Sequence, residues 1–112
     1  MQIRTVEFIS LLRKLLSESA ETRARASDAT TDWVSEYSRQ QAHTVVSILL
    51  WLAEQESDEN ALETELNAAA ELAGNREIDR ETLLATTAID PRKLTGSSIE
   101  HYDYLISLLD TA

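Results

Sequence analysis

Residues 32–56 read DWVSEYSRQQAHTVVSILLWLAEQE. Asp32 is placed to N-cap a helix here. Val34, Tyr37, Gln41, Val45, Ile48 and Leu52 are spaced to share one face. Trp33, Val46, Leu49 and Trp51 add further apolar faces, so Val45 to Ala53 is apolar almost all the way round. A helix of that kind is buried on more than one side. The remaining helices are therefore expected to enclose 32–56.

Before this stretch, Phe8, Ile9, Leu11, Leu12, Leu15 and Leu16 form one helical arc, with Arg13 and Lys14 outside it. The arc fades after Leu16. Residues 17–31, SESAETRARASDATT, are rich in Ser, Thr and Ala with mixed charge. Helix, loop and disorder all stay open for them, and Ala26 to Thr31 reads as a loop. Beyond the stretch, Ser57 or Asp58 caps a third helix with Leu62, Leu66, Ala69 and Ala73 as its core stripe. Gly74-Asn75 ends it, with glycine available for a left-handed terminus. Asp79 caps a fourth helix, with Ile78 and Leu83 spaced as a hydrophobic staple, and Pro91 stops it. Ser97 and Glu100 form an S-x-x-E capping box for a fifth, whose inner face is Ile99, Tyr102, Leu105, Ile106 and Leu109. There is no strand alternation and no internal repeat. The expected fold is all-α: one domain over 1–112, about five helices in antiparallel hairpins around the buried 32–56 helix.

Leu, Ala and Glu are common and the chain has only two glycines and one proline, which favours helix. With no cysteine, neither a disulfide framework nor a thiolate site is available. No charged-then-apolar leader opens the sequence, and the run 45–53 is far shorter than the ~20 residues of a membrane span. A cytoplasmic protein without membrane association is expected.

The net charge of −10 is unevenly spread. Residues 1–52 carry six basic and six acidic side chains; residues 53–112 carry four and fourteen. From Glu54 to Asn75 there are seven acids and no Lys or Arg. Such a field disfavours direct nucleic-acid binding, since phosphate affinity comes from Lys and Arg. It suits a basic protein partner, by steering and by complementary potential. In a regular third helix Glu56, Glu59 and Glu63 project within about 60° of one another. Glu59 and Glu63 are an i,i+4 like-charge pair, which costs a few tenths of a kcal/mol. The helix dipole accounts for Asp58 and Glu59 in the first turn but not for Glu63 or Glu65 further in. Glu65 also falls beside the apolar arc, near Leu62 and Leu66. The alternatives for these acids are a solvated face, with Glu65 reaching outward or pairing with an arginine, and a partner-binding surface.

Catalytic and metal chemistry find little purchase. His43 and His101, the only imidazoles, lie on different helices, and no H-E-x-x-H or Glu-x-x-His repeat is present. No G-x-S-x-G elbow accompanies the serines, and Gly74 and Gly96 are too far apart for a phosphate loop. No enzyme activity, metal or cofactor is expected. A tryptophan beside an apolar run is more often core than interface, which favours Trp51 inside. Trp33, beside a polar loop, is the better candidate for an exposed anchor. Tyr104 points away from the Tyr102/Leu105/Leu109 side and is expected to be exposed.

The opening EFISLLRKLL, the central ILLWLAEQE, the segment LNAAAELAGN-x-x-ID-x-x-LL and the closing SSIEHYDYLISLL belong to one small, acidic, helical chain. In that combination the sequence resembles the small bacterial immunity proteins of contact-dependent and polymorphic toxin systems. The resemblance implies no catalysis and no cofactor. It implies one tight protein partner, a toxin domain that is often a nuclease and therefore basic. On this reading Glu54, Glu56, Glu59, Glu63 and Glu65, with Trp33, dock on the toxin and block access to its active face. The alternative is a helical adaptor or homodimeric regulatory protein whose sticky surface is apolar, around Leu11/Leu15 or Leu105/Leu109. Monomer and dimer both remain open.

Overall fold

In the structure, a computed structural model, residues 2–111 are described; Met1 and Ala112 lie outside them. Six α-helices follow one another: α1 (Thr5–Leu15), α2 (Ala20–Thr30), α3 (Arg39–Gln55), α4 (Glu59–Asn75), the single turn α5 (Arg80–Leu83) and α6 (Ser97–Thr111). Short 3-10 turns at Thr31–Trp33, Leu84–Ala88 and Pro91–Lys93 complete the chain, and no strand occurs among the described residues. The all-α class is as expected.

The expected 32–56 helix begins later, at Arg39. Asp32 is not its cap. Ser38 is, in a reciprocal capping box with Gln41: the Gln41 N–H donates to Ser38 Oγ at 3.1 Å, and the Ser38 N–H to Gln41 Oε1 at 2.8 Å. Satisfying two N-terminal N–H groups at once fixes the start of a helix there. Residues 34–38 turn instead, and Arg76 holds that turn by donating to the carbonyls of Val34 and Tyr37, both at 2.9 Å. Within α3, Val45, Val46, Leu49, Leu50, Leu52 and Ala53 are buried, as the all-round apolar run requires.

Residues 17–31, expected in part as loop, form α2. Ser19 caps it by accepting from the Thr22 N–H at 3.2 Å. Its inward residues are Ala24, Ala26, Ser27 and Thr30, small enough for the helix to lie close to α4. The hydroxyls of Ser27 and Thr30 donate back to the carbonyls of Arg23 and Ser27, so burial leaves neither without a partner.

The most extensively packed helix is α4, which lies against α2, α3 and α6. Asp58 caps it, accepting from the Ala61 N–H at 2.8 Å. Adding the α1–α2 contact gives a row α1–α2–α4–α6, with α3 laid over α4 and touching α1. The result is a flat body of 37 × 34 × 18 Å. The α5 turn, capped by Asp79, closes against α3 and α6.

Three other expected helix ends differ. The fourth helix, expected to run until Pro91, is α-helical only to Leu83 and gives way to the 3-10 turn Leu84–Ala88. Gly74 is not left-handed; it lies within α4, and an added Cβ would sit 2.7 Å from Tyr104 Oη. Close approach of α6, not turn geometry, is what a glycine permits there. The left-handed residue is Gly96, at φ +55°, just before α6. The Ser97–Glu100 box does not form. The α6 start is organised by Ser98, which accepts from the Thr95 N–H at 2.9 Å and donates to the Thr95 carbonyl, while the Ser97 hydroxyl turns to Glu63.

Candidate functional site

The acids expected to form one face divide into two groups. Glu54 and Glu59 are exposed and Glu63 is half-buried. Glu56 and Glu65 are buried, Glu65 completely. The expectation that all five line a partner surface is therefore corrected for these two. Neither is the outward acid of a solvated face.

Glu56 belongs to a polar knot. Arg23 on α2 grips its carboxylate with two hydrogen bonds, Nε to Oε1 at 2.8 Å and Nη2 to Oε2 at 2.7 Å. The other terminal nitrogen of Arg23 donates to the carbonyls of Ser17 and Glu18, both at 2.9 Å. The Asp58 N–H donates to Glu56 Oε2 at 3.1 Å, and Lys93 Nζ reaches the carbonyls of Glu54 and Glu56 at 2.9 and 3.1 Å. One guanidinium and one ammonium thus tie the α1–α2 turn, the α3–α4 turn and the Pro91–Lys93 turn together. Burial by itself would raise the Glu56 acid. The Arg23 hydrogen bonds, helped by Glu65 and the Asp58 N–H, overcome it and hold Glu56 down at about 2.

Glu65 lies beneath this knot. Neither of its carboxyl oxygens has a hydrogen-bond partner in the structure, and both are shut away from solvent. Burial first, and then the adjoining Glu56 carboxylate, push Glu65 up to about 9, above the opposing pull of Arg23 and Lys93. At neutral pH it is a protonated, uncharged acid beside a charged one. Two like carboxylates in one buried space cannot both ionise cheaply, and the environment decides which keeps its proton. Glu65 contributes no negative charge to any surface.

Two of the remaining acids, Glu59 and Glu63, are held by hydroxyl groups. Thr95 Oγ1 donates to Glu59 Oε1 at 2.7 Å and Ser97 Oγ to Glu63 Oε1 at 3.3 Å, while His101 Nε2 lies 3.4 Å from that same oxygen. A hydroxyl fixes a carboxylate without cancelling its charge. No Lys or Arg pairs with Glu54, Asp58, Glu59 or Glu63 among the described residues. This rim of α4 keeps its negative field.

The tryptophans exchange the expected roles. Trp33 is half-buried and packs against the core. Trp51 is 52 % exposed, because Ser47, Trp51, Glu54 and Gln55 share the outward face of α3. Leu16, 54 % exposed, stands with it at the mouth of a cleft of about 280 Å³ whose wall is the Arg23–Glu56 pair. Tyr104 is exposed, as expected. The four leucines expected to form an adaptor's sticky surface, Leu11, Leu15, Leu105 and Leu109, are all buried within one chain.

The imidazoles do not converge. His43 sits between Arg39 and Asp79: its Nδ1 lies 2.8 Å from the Arg39 carbonyl, and its Nε2 accepts from the Asp79 N–H at 3.0 Å. Glu36 bonds Ser35, and His101 is beside Glu63. No group of three metal-binding side chains occurs among the described residues, and no helix among them is long and apolar enough to cross a membrane.

The sequence matches no family model, and neither the curated proteins nor the solved structures yield a match.

Proposed function

We propose that this chain is a protein-binding module of the immunity type, which neutralises a basic, nuclease-like toxin domain by covering it. The observation that carries the proposal is the open Trp51, one turn before Glu54, at the acidic end of the molecule. A large aromatic held half in solvent makes a good interface anchor, and tryptophan is enriched among the residues that dominate binding energy. Glu54, Asp58, Glu59 and Glu63, none of them paired with a Lys or Arg among the described residues, supply the long-range attraction. The resemblance of the sequence to immunity proteins supplies the partner class. Trp51 and Leu16 replace Trp33 and the buried Glu56 and Glu65 in the docking surface.

The test is capture from the source strain with the tagged protein, at low and high salt, with Trp51→Ala and Glu54→Lys/Glu59→Lys variants alongside. One basic protein is expected, held less tightly at high salt, with Trp51→Ala weakening it about thirtyfold and leaving the fold intact. A partner retained equally by all variants at both salts refutes this surface. Recovery of no heterologous protein refutes the immunity assignment.

A further inference from the structure

The row of helices ends in α1 on one side and α6 on the other, and the two edges differ in character. Val6, Ile9, Arg13 and Leu16 are spaced i, i+3, i+7 and i+10, so they form one stripe along α1, and all four are exposed. Val6, 67 % exposed, is the most open large apolar side chain among the described residues. Leu16 already belongs to the Trp51 surface; Val6, Ile9 and Arg13 lie outside it. Val6 also borders a groove of about 680 Å³ between α1 and α2, where Leu11, Ala26 and Ala29 form part of the lining. This edge is an apolar ridge beside a concavity. Its charge is positive: residues 2–16 hold Arg4, Arg13 and Lys14 against one acid, Glu7, which Arg4 holds.

The α6 edge is the opposite. Glu100, Asp103, Ser107 and Asp110 repeat the same spacing, and all are exposed. Ile99 and Tyr104 flank them, each 43 % exposed, and α6 has no Lys or Arg. Two copies, each with a formal net charge of −10, repel one another in most orientations. Placing α1 against α1 sets Arg13 and Lys14 against the same cations. Placing α6 against α6 sets acid against acid. Of the three pairings, α1 against α6 alone brings opposite charges together while covering apolar side chains on both sides. The wider charge distribution favours the same approach, since residues 1–52 hold six basic and six acidic side chains and residues 53–112 hold four and fourteen.

We infer that a second copy of this chain covers the α1 edge, with the α6 face of one copy docked on the α1 stripe of the next. Arg13 meets the Glu100/Asp103/Asp110 stripe, and Val6 and Ile9 pack beside Ile99 and Tyr104. The two surfaces differ, so every added copy leaves one edge of each kind, and the contact propagates into an open chain or ring instead of closing as a two-fold dimer. A contact between two helix faces lies at the small end of interface sizes, so the dissociation constant is expected on the order of 0.1 mM. The inference does not rest on the toxin reading.

Sedimentation velocity of the full chain, from about 10 µM to about 1 mM, reads it. The parent should gain mass with concentration. Val6→Gln/Ile9→Gln removes the apolar stripe of α1, and Asp103→Lys/Asp110→Lys reverses the acidic stripe of α6. All four positions are exposed, so both variants keep the fold. Each variant by itself should be monomeric. An equimolar mixture of the two should form a one-to-one pair and nothing larger, because one kind of copy keeps only its α6 edge and the other only its α1 edge. A parent that is monomeric at every concentration leaves the α1 edge to some other occupant and overturns the inference. So does a variant that associates by itself as the parent does, which marks a two-fold contact, or a mixture that fails to pair.

Discussion

Replacing Glu65 with glutamine should make the protein more stable at neutral pH, although it alters a completely buried residue. The substitution keeps shape and volume and removes the titrating group. In the folded state Glu65 keeps its proton up to about pH 9; in the unfolded chain it releases it near 4.5. Between those values the folded state holds a proton that the unfolded state gives up. The contribution of Glu65 is therefore full below the unfolded value and is lost as pH rises towards the folded one. At pH 7 the interval crossed is about 2.5 units, and each unit corresponds to about 1.4 kcal/mol. The cost carried by the wild type is on the order of 3 kcal/mol. That is a large share of the roughly 5–15 kcal/mol that holds a domain of this size folded. Glutamine escapes it, because its amide has no charge to lose at any pH in this range. Urea denaturation of both proteins at pH 4.5, 7 and 9 isolates the effect, since every other titrating group is common to the two. The gap should be small at pH 4.5 and widen steadily towards pH 9. A gap that stays constant across the series, or a variant that is less stable throughout, refutes a protonated Glu65.

Arg23→Ala leaves the buried Glu56 carboxylate without its cation and should cost on the order of 3–5 kcal/mol at pH 7. Because Glu56 is depressed to about 2, its contribution is present above the unfolded value and lost as pH falls through the folded one. The Arg23→Ala defect should therefore shrink between pH 5 and pH 2, measured again by urea midpoints. Gly74→Ala should be close to neutral in the wild type, where the new methyl displaces Tyr104 Oη from 2.7 Å. In a Tyr104→Ala background it should stabilise by up to about 1 kcal/mol, the ordinary helical advantage of alanine. A double-mutant cycle with no coupling between the two positions would disprove the close contact as the reason for glycine.

Local chemistry explains which parts of the fold were legible. The apolar run 45–53, the cap at Asp79 and the cap at Ser57 or Asp58 carry their information in a few adjacent residues, and the structure has all three, with Asp58 as the cap. Ser38-x-x-Gln41 carries the same kind of information, but Asp32 is equally eligible as a cap and lies at the head of the same apolar pattern. α2 lacked a signal of the usual sort, because its buried side is alanine, serine and threonine. Its interior is written in small volume, which periodicity of large apolar residues does not register. Ser19 and the Ala/Arg content were the available clues. The exposure of Trp51 was also in the sequence, as the face it shares with Ser47, Glu54 and Gln55, but its apolar neighbours along the chain outweighed it. The placement of Glu65 next to Leu62 and Leu66 was visible. Its fate was not, since that depends on Arg23 and Glu56, brought in by two other helices.

The order α1–α2–α4–α6 sets a hierarchy of opening. α4 is covered on three sides, whereas α1 leans chiefly on α2 and touches α3 only lightly. Amide protons of α1 should exchange with solvent through local detachment, long before those of α4, which need the whole body to come apart. The α1–α2 groove is thus walled on one side by the least anchored helix. The Trp51 cleft, fastened by Arg23 and Lys93 across three turns, keeps its shape through such excursions. One molecule therefore presents a rigid surface at one end and a compliant one at the other.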